Sequence, residues 1–355
     1  HDRSEGDFHI DVTNGVGITQ SNSSGAEGYE FVGLGGRGAG HSTNIILDSA
    51  AGSTQRMFNV NNSGNVTIRN IGFDGNGQAG SCAGILTLFT SSVWVYECQF
   101  LSLETGVLSD NSSSQVSKVV DCWFDGCEMG IDVAAGSRII RNHITGSTGT
   151  ASNQGGINAY GGTSASGPWT VIAHNTIQSG SNYGILTGGL VYCVGNHIHN
   201  NSDSGIYLDS PGGIYVNNTI SSSGFHGIET DVNTTGDGSL IFGNLIDSPQ
   251  RHGMFVDHPN YRIFGNNIVA AGQATSDTYD AIHISHNAAH ITDNRIDGSS
   301  GQTRYAVNIA DGTASIVVGN NFGGSADYGS GVINDSGTST STTYPGGAHG
   351  DNFAT

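Results

Sequence analysis

A four-residue pattern returns along most of this chain. It reads RNHI at 141–144, HNTI at 174–177, GNHI at 195–198, NNTI at 217–220, GNLI at 243–246, GNNI at 265–268, DNRI at 293–296 and GNNF at 319–322. Upstream, ECQF at 97–100 and DCWF at 121–124 fill the same slot with Cys in place of Asn, and IRNIGF at 68–73 opens the series. Most steps between these slots are 20 to 28 residues, with one of 33. Such a unit is too short for a strand–helix–strand crossover but fits one coil of a solenoid in which parallel strands stack on themselves.

A second register runs between the first. GILTL at 84–88, GVLSD at 106–110, GIDVA at 130–134, GINAY at 156–160, GILTG at 184–188, GIYLD at 205–209, GIETD at 227–231, GMFVD at 253–257, AIHIS at 281–285, AVNIA at 306–310 and GVINDS at 331–336 are short strands of period two. In each, the second and fourth residues are expected to point inward and the third and fifth outward, with Gly opening a corner. Stacked at about 4.8 Å, such strands bury continuous columns of Ile and Val and align the turn Asn as a hydrogen-bonded ladder. The expectation is an all-β, single-domain right-handed parallel β-helix of about eleven rungs over 61–336. Residues 1–60 are read as an N-terminal cap and first coil, and 337–355 as a Ser/Thr-rich C-terminal tail.

Composition narrows the partners. Gly contributes 56 of 355 residues and Pro only 5, which suits many tight corners. The net charge is −19 and Lys118 is the sole lysine, which argues against nucleic acid. This acidic, Lys-poor balance resembles that of proteins from extreme halophiles, or from viruses of such hosts. No apolar run approaches the roughly 18 residues that span a bilayer, so membrane insertion is not expected. Cys82, Cys98, Cys122, Cys127 and Cys193 include no CxxC pair, which makes a zinc site improbable and predicts mostly buried thiols. Asn-x-Ser/Thr sequons, among them Asn22, Asn111 and Asn233, permit glycosylation in an extracellular protein.

The stretch FNVNNSGNVTIRNIGFDG at 58–75, with the repeats that follow to about residue 335, resembles the pectate-lyase-like superfamily of right-handed β-helices. That superfamily holds polysaccharide lyases, glycoside hydrolases, mannuronan epimerases and phage tailspikes. The resemblance covers around four-fifths of the chain and implies a polysaccharide or cell-surface glycan as partner. It also implies an extracellular or virion-surface location and a monomer or homotrimer. Family motifs are altered or absent: the Asp-Pro-His of mannuronan epimerases is here Asp257-His258-Pro259, and the Asp-Asp, Gly-His-Gly and Arg-Ile-Lys motifs of polygalacturonases do not occur.

Chemistry concentrates on the outward positions of the middle rungs. Asp209, Asp231 and Asp257 fall in register on three consecutive rungs with Glu229 beside them, and His283 follows one rung on. These five are the candidate catalytic residues. Tyr160, Tyr207, Phe255, His226, His252, Arg251 and His258 are candidate substrate-binding groups, since rings stack on sugars and cations meet carboxylates. A column of like charges requires compensation, either by raised pKa values or by a cation such as calcium at Asp209, Asp231 and Asp257. His283 or Tyr207 could abstract the C5 proton of a uronate. Three readings follow: a lyase or hydrolase cleaving polysaccharide along this face, a tailspike-like or receptor-binding glycan module, and a structural or adhesive surface solenoid.

Overall fold

A computed structural model describes residues 8–10, 16–19, 29–33, 44–47, 55–61, 65–76, 82–88, 92–109, 117–149, 154–160, 168–180, 182–210, 212–231, 238–299, 302–311, 315–323, 328–336, 341–342 and 353–354. Most of the Ser/Thr-rich tail and the sequon residues Asn22, Asn111 and Asn233 lie outside them. The described residues form parallel strands and turns, and no helix among them is long and apolar enough to cross a membrane. The chain is a right-handed parallel β-helix in which every coil carries three strands. It divides into two compact units, His1–Asn182 and Tyr183–Thr355.

In the second unit a typical coil runs Ile206–Leu208, Ile214–Val216, Thr219–Ser221. The first strand is the GIxhx segment and the third begins just after the ladder Asn. Seven such coils stack, from Tyr183–Gly188 to Tyr328–Asp335 in the first strand position. In the first unit six coils stack in the same order. The rung count exceeds the expected eleven because Val16–Thr19 and Gln55–Asn61 pair in register ahead of Cys82–Leu88, the second with Met57 in the place of the opening Gly.

The core follows the two registers. Ile185, Ile206, Ile228, Met254, Ile282 and Val307 form one fully buried column in the second unit, and Ile198, Ile220, Ile246, Ile268, Ile296 and Phe322 another. Each such side chain contributes roughly 1.5–3 kcal/mol on burial, so apolar stacking is the main source of stability. At the corners, Asn196, Asn218, Asn244, Asn266, Asn294 and Asn320 are at most 1 % exposed, and each of the first five amides donates to the next Asn Oδ1 at 2.9–3.0 Å. The residue before each ladder Asn sits in the left-handed region, φ 52–66° at Gly195, Asn217, Gly243, Gly265, Asp293 and Gly319, which explains the Gly, Asn or Asp that precedes it. In the first unit Cys98 and Cys122 replace Asn, and their thiols donate to the Tyr96 and Val120 carbonyls at 3.3 and 3.4 Å.

At Gly184, Gly205, Gly227 and Gly253 the Gly that opens the GIxhx strand is there for close packing and not for the corner. A Cβ on Gly227 would meet Ile246 Cγ2 and lie 2.6 Å from the Gly253 carbonyl oxygen. Gly227→Ala is therefore expected to cost about 1–3 kcal/mol through overpacking, read as a lower denaturant midpoint with an unchanged slope.

Candidate active site

The GIxhx strands of the second unit present one outward column in strict register: Leu186, Tyr207, Glu229, Phe255, His283, Asn308 and Asn334. Of the predicted residues, Tyr207, Glu229, Phe255 and His283 thus stand on four consecutive coils. Asp209, Asp231 and Asp257 follow two residues on from Tyr207, Glu229 and Phe255 and are part-buried. Tyr160 belongs to the first unit.

The four residues face different environments. Tyr207 stacks on Tyr183 at 4.6 Å and donates its hydroxyl to Asp231 Oδ2 at 2.9 Å. Burial, and then that bond to Asp231, push its phenol far above the ordinary range, so Tyr207 stays protonated and is a poor base. Glu229 accepts the Ser204 hydroxyl at 2.5 Å. Burial outweighs that bond and raises its carboxyl to about 7. Asp209 and Asp257 are also raised, mainly by burial, with Asp231 adding to both. As for the expected cation, among the described residues the one group of three potential ligands that converges is His252, Asp280 and His283, not the three aspartates.

That group is a hydrogen-bond network with a single centre. Asp280 is fully buried and receives His283 Nδ1 at 2.7 Å, Arg304 Nε at 2.9 Å, Arg304 Nη2 at 2.8 Å and Asn308 Nδ2 at 2.9 Å. Burial alone would raise its carboxyl, but the bonds from His283, Arg304 and Asn308 prevail and hold it at about 2. An ionised Asp280 fixes the proton of His283 on Nδ1 and leaves the Nε2 lone pair available. The His283 ring, 14 % exposed, stacks on Phe255 at 5.3 Å.

His226 and His252, expected to touch substrate, are 4 % and 8 % exposed. His226 Nδ1 accepts the His252 backbone N–H at 3.2 Å, and His252 Nδ1 accepts that of Asp280 at 2.8 Å. Both rings therefore carry their proton on Nε2. Burial, with the neighbouring cationic groups, lowers them to about 2 and about 3, so both are neutral. They stitch successive coils together and back the Phe255 ring, at 5.2 and 5.6 Å. His258 is also buried, with Nδ1 3.0 Å from the Pro259 carbonyl. Arg251 lies over the Phe225 ring at 3.5 Å and is close enough to Glu229 to oppose the rise in its pKa.

Sequence reasoning missed Asp280, Arg304 and Ser204. The signal was present: the slot before the GIxhx strand reads Ser204, His226, His252, Asp280 on successive coils. Extending that column by one coil each way finds both the residue that orients His283 and the partner of Glu229.

Two solved structures share the fold. The A-module of Azotobacter vinelandii mannuronan C-5 epimerase AlgE4 is 15 % identical with a TM-score of 0.56, over 93 % of this chain and 89 % of that one. The AlgE6 A-module from the same organism is 15 % identical with a TM-score of 0.55, over 92 % and 88 %. None of the curated proteins matches the sequence. A family model described as "Periplasmic copper-binding protein (NosD)" matches residues 140–348, more than half of the chain, and the chain belongs to that family.

Proposed function

We propose that this chain is an enzyme acting on an acidic polysaccharide, with His283 as general base and Glu229 as general acid on either side of a uronate ring seated on Phe255. The observation that carries the reading is the Asp280–His283 pair, the one imidazole of the stacked His226, His252 and His283 whose geometry leaves Nε2 free to take a proton. Glu229 and His283 are two coils apart, about 9.5 Å between Cα atoms, with Phe255 between them. That spacing leaves room for one pyranose ring, and an aromatic face is suited to receive it.

His283 Nε2 removes the C5 proton, which the uronate carboxylate acidifies. Arg251, held over Phe225, is the cation placed to meet the charge that develops on that carboxylate. In elimination the C4–O4 bond breaks as the C4–C5 double bond forms, and Glu229 delivers its proton to the leaving oxygen. Return of a proton to the opposite face of C5 inverts that centre instead. The mannuronan C-5 epimerases that share the fold support this class of chemistry.

Glu229 supplies a proton below about 7 and loses it above. The rate is therefore expected to fall as pH rises through that value, and Glu229→Gln is expected to lower kcat by about 10²–10⁴-fold and to abolish that limb. Incubation with alginate, pectate and neutral glucan in heavy water separates the outcomes. Unsaturated uronate seen by ultraviolet absorbance marks elimination, and deuterium at C5 without cleavage marks epimerisation. Intact polymers with no exchange at any salt concentration would overturn the reading.

Copper, named in the family description, does not fit the His252–Asp280–His283 group. The Asp280 oxygens are occupied by four donor contacts, the Arg304 guanidinium lies against them, and His252 Nδ1 is taken by a backbone N–H. No step is routed through a metal there. The periplasmic part of that description supports a location outside the cytoplasm.

A further inference from the structure

We propose that His197 and His199 form a surface site for a divalent transition-metal ion, bound as a chelate by two imidazoles of one strand. The site lies in the third strand position of its coil, not in the one that carries His283, and is independent of the polysaccharide reading. The two residues are separated by one position, so both project from the same face of the strand. Both are exposed, whereas Ile198 between them is fully buried.

The backbone that carries them is fixed on each side. Asn196, just before, is locked in the ladder through Asn218 Oδ1, which accepts its backbone N–H at 3.0 Å and its side-chain amide at 2.9 Å. Asn200, just after, turns the chain at φ 58°. The strand pairs residue for residue with Thr219–Ser221. Little backbone ordering is left to oppose closure on an ion.

The second observation concerns the ring itself. Ser221 Oγ lies 2.9 Å from His199 Nδ1. In the tautomer that donates Nδ1–H to this hydroxyl the Nε2 lone pair is left for a metal, the arrangement that orients metal-bound histidines. In the buried group the opposite holds, since the Nδ1 atoms of His226 and His252 accept backbone N–H bonds and force the proton onto Nε2. Two imidazoles with water completing the shell suit Cu(II), Ni(II) or Zn(II), and Cu(II) binds most strongly of these.

The full chain is titrated with Cu(II) alone, with stoichiometry and affinity from calorimetry and ligand type from electron paramagnetic resonance. Copper held elsewhere cancels when wild type is compared with the His197→Ala/His199→Ala double variant. The expected result is one equivalent, with imidazole nitrogen couplings, present in wild type and lost in the double variant. Each single variant should weaken it at least tenfold, and Ser221→Ala by about tenfold through loss of ring orientation. His283→Ala should retain it. A double variant that binds as many equivalents as wild type with equal affinity, or loss of the equivalent in His283→Ala instead, overturns the proposal.

Discussion

Asp280→Asn is expected to lower turnover by about 10³–10⁴-fold while leaving substrate affinity nearly unchanged. The substitution preserves shape but places an amide where His283 Nδ1 now donates at 2.7 Å. If the amide nitrogen faces the ring, His283 must carry its proton on Nε2, and the lone pair that takes the substrate proton is lost. Loss of the orienting carboxylate in a triad has an effect of this size for the same reason. Stability also falls, because Arg304 loses the anion it grips through Nε and Nη2. Removing one partner of a buried pair costs about 3–5 kcal/mol, and the 30 % exposure of the Arg304 side chain places this case near the lower end. His283→Ala separates the two effects, since it removes the base while keeping the Asp280–Arg304 pair. It should match the loss of turnover with a smaller drop in melting temperature, and the double variant should be no slower than either single one. An Asp280→Asn enzyme within a few-fold of wild type would remove His283 from the role of base.

The fold was legible because a solenoid repeats its physics on every coil. The Asn of GNLI and the Ile of GIETD each solve the same local problem as their counterparts one coil away, so repetition in sequence maps directly to stacking. Gln55–Asn61 was not legible as a coil because Met57 stands where other strands open on Gly, and Val16–Thr19, although it follows Gly15, because no turn-Asn repeat accompanies it; both pair in the same stack. The outward column was read in its true order, from Tyr207 to His283. Its chemistry was not, because whether a histidine is a base depends on what its other nitrogen meets. His226, His252 and His283 look alike in sequence, yet two accept a backbone N–H and one donates to a carboxylate. That distinction is set by Asp280, three residues before His283, in the slot that carries His226 and His252 on the two preceding coils, so it shows when coils are compared and not in any one segment.

Asn244→Leu is expected to destabilise the protein by about 3–5 kcal/mol, and Asn244→Cys by about half as much. Asn244 stands inside the ladder, 1 % exposed, and its Oδ1 accepts both the backbone N–H and the side-chain amide of Asn218, at 2.9 and 3.0 Å. Its own amide donates to the Tyr215 carbonyl at 3.0 Å and to Asn266 Oδ1 at 2.9 Å. Leucine satisfies none of these, and each buried group left without a partner costs about 1–3 kcal/mol. Cysteine keeps a donor: in the first unit Cys122 occupies the equivalent corner and reaches the Val120 carbonyl at 3.4 Å and the Val95 carbonyl at 3.7 Å. It still leaves the Asn218 amide short of an acceptor, hence the intermediate loss. Because each coil contacts mainly its neighbours, the damage should be local. Hydrogen exchange is expected to quicken at the amides of 214–221 and 240–247 and to remain slow in the buried strands of the first unit. Equal denaturant midpoints for wild type and Asn244→Leu would mean that the apolar columns, and not the amide ladder, hold these coils in register.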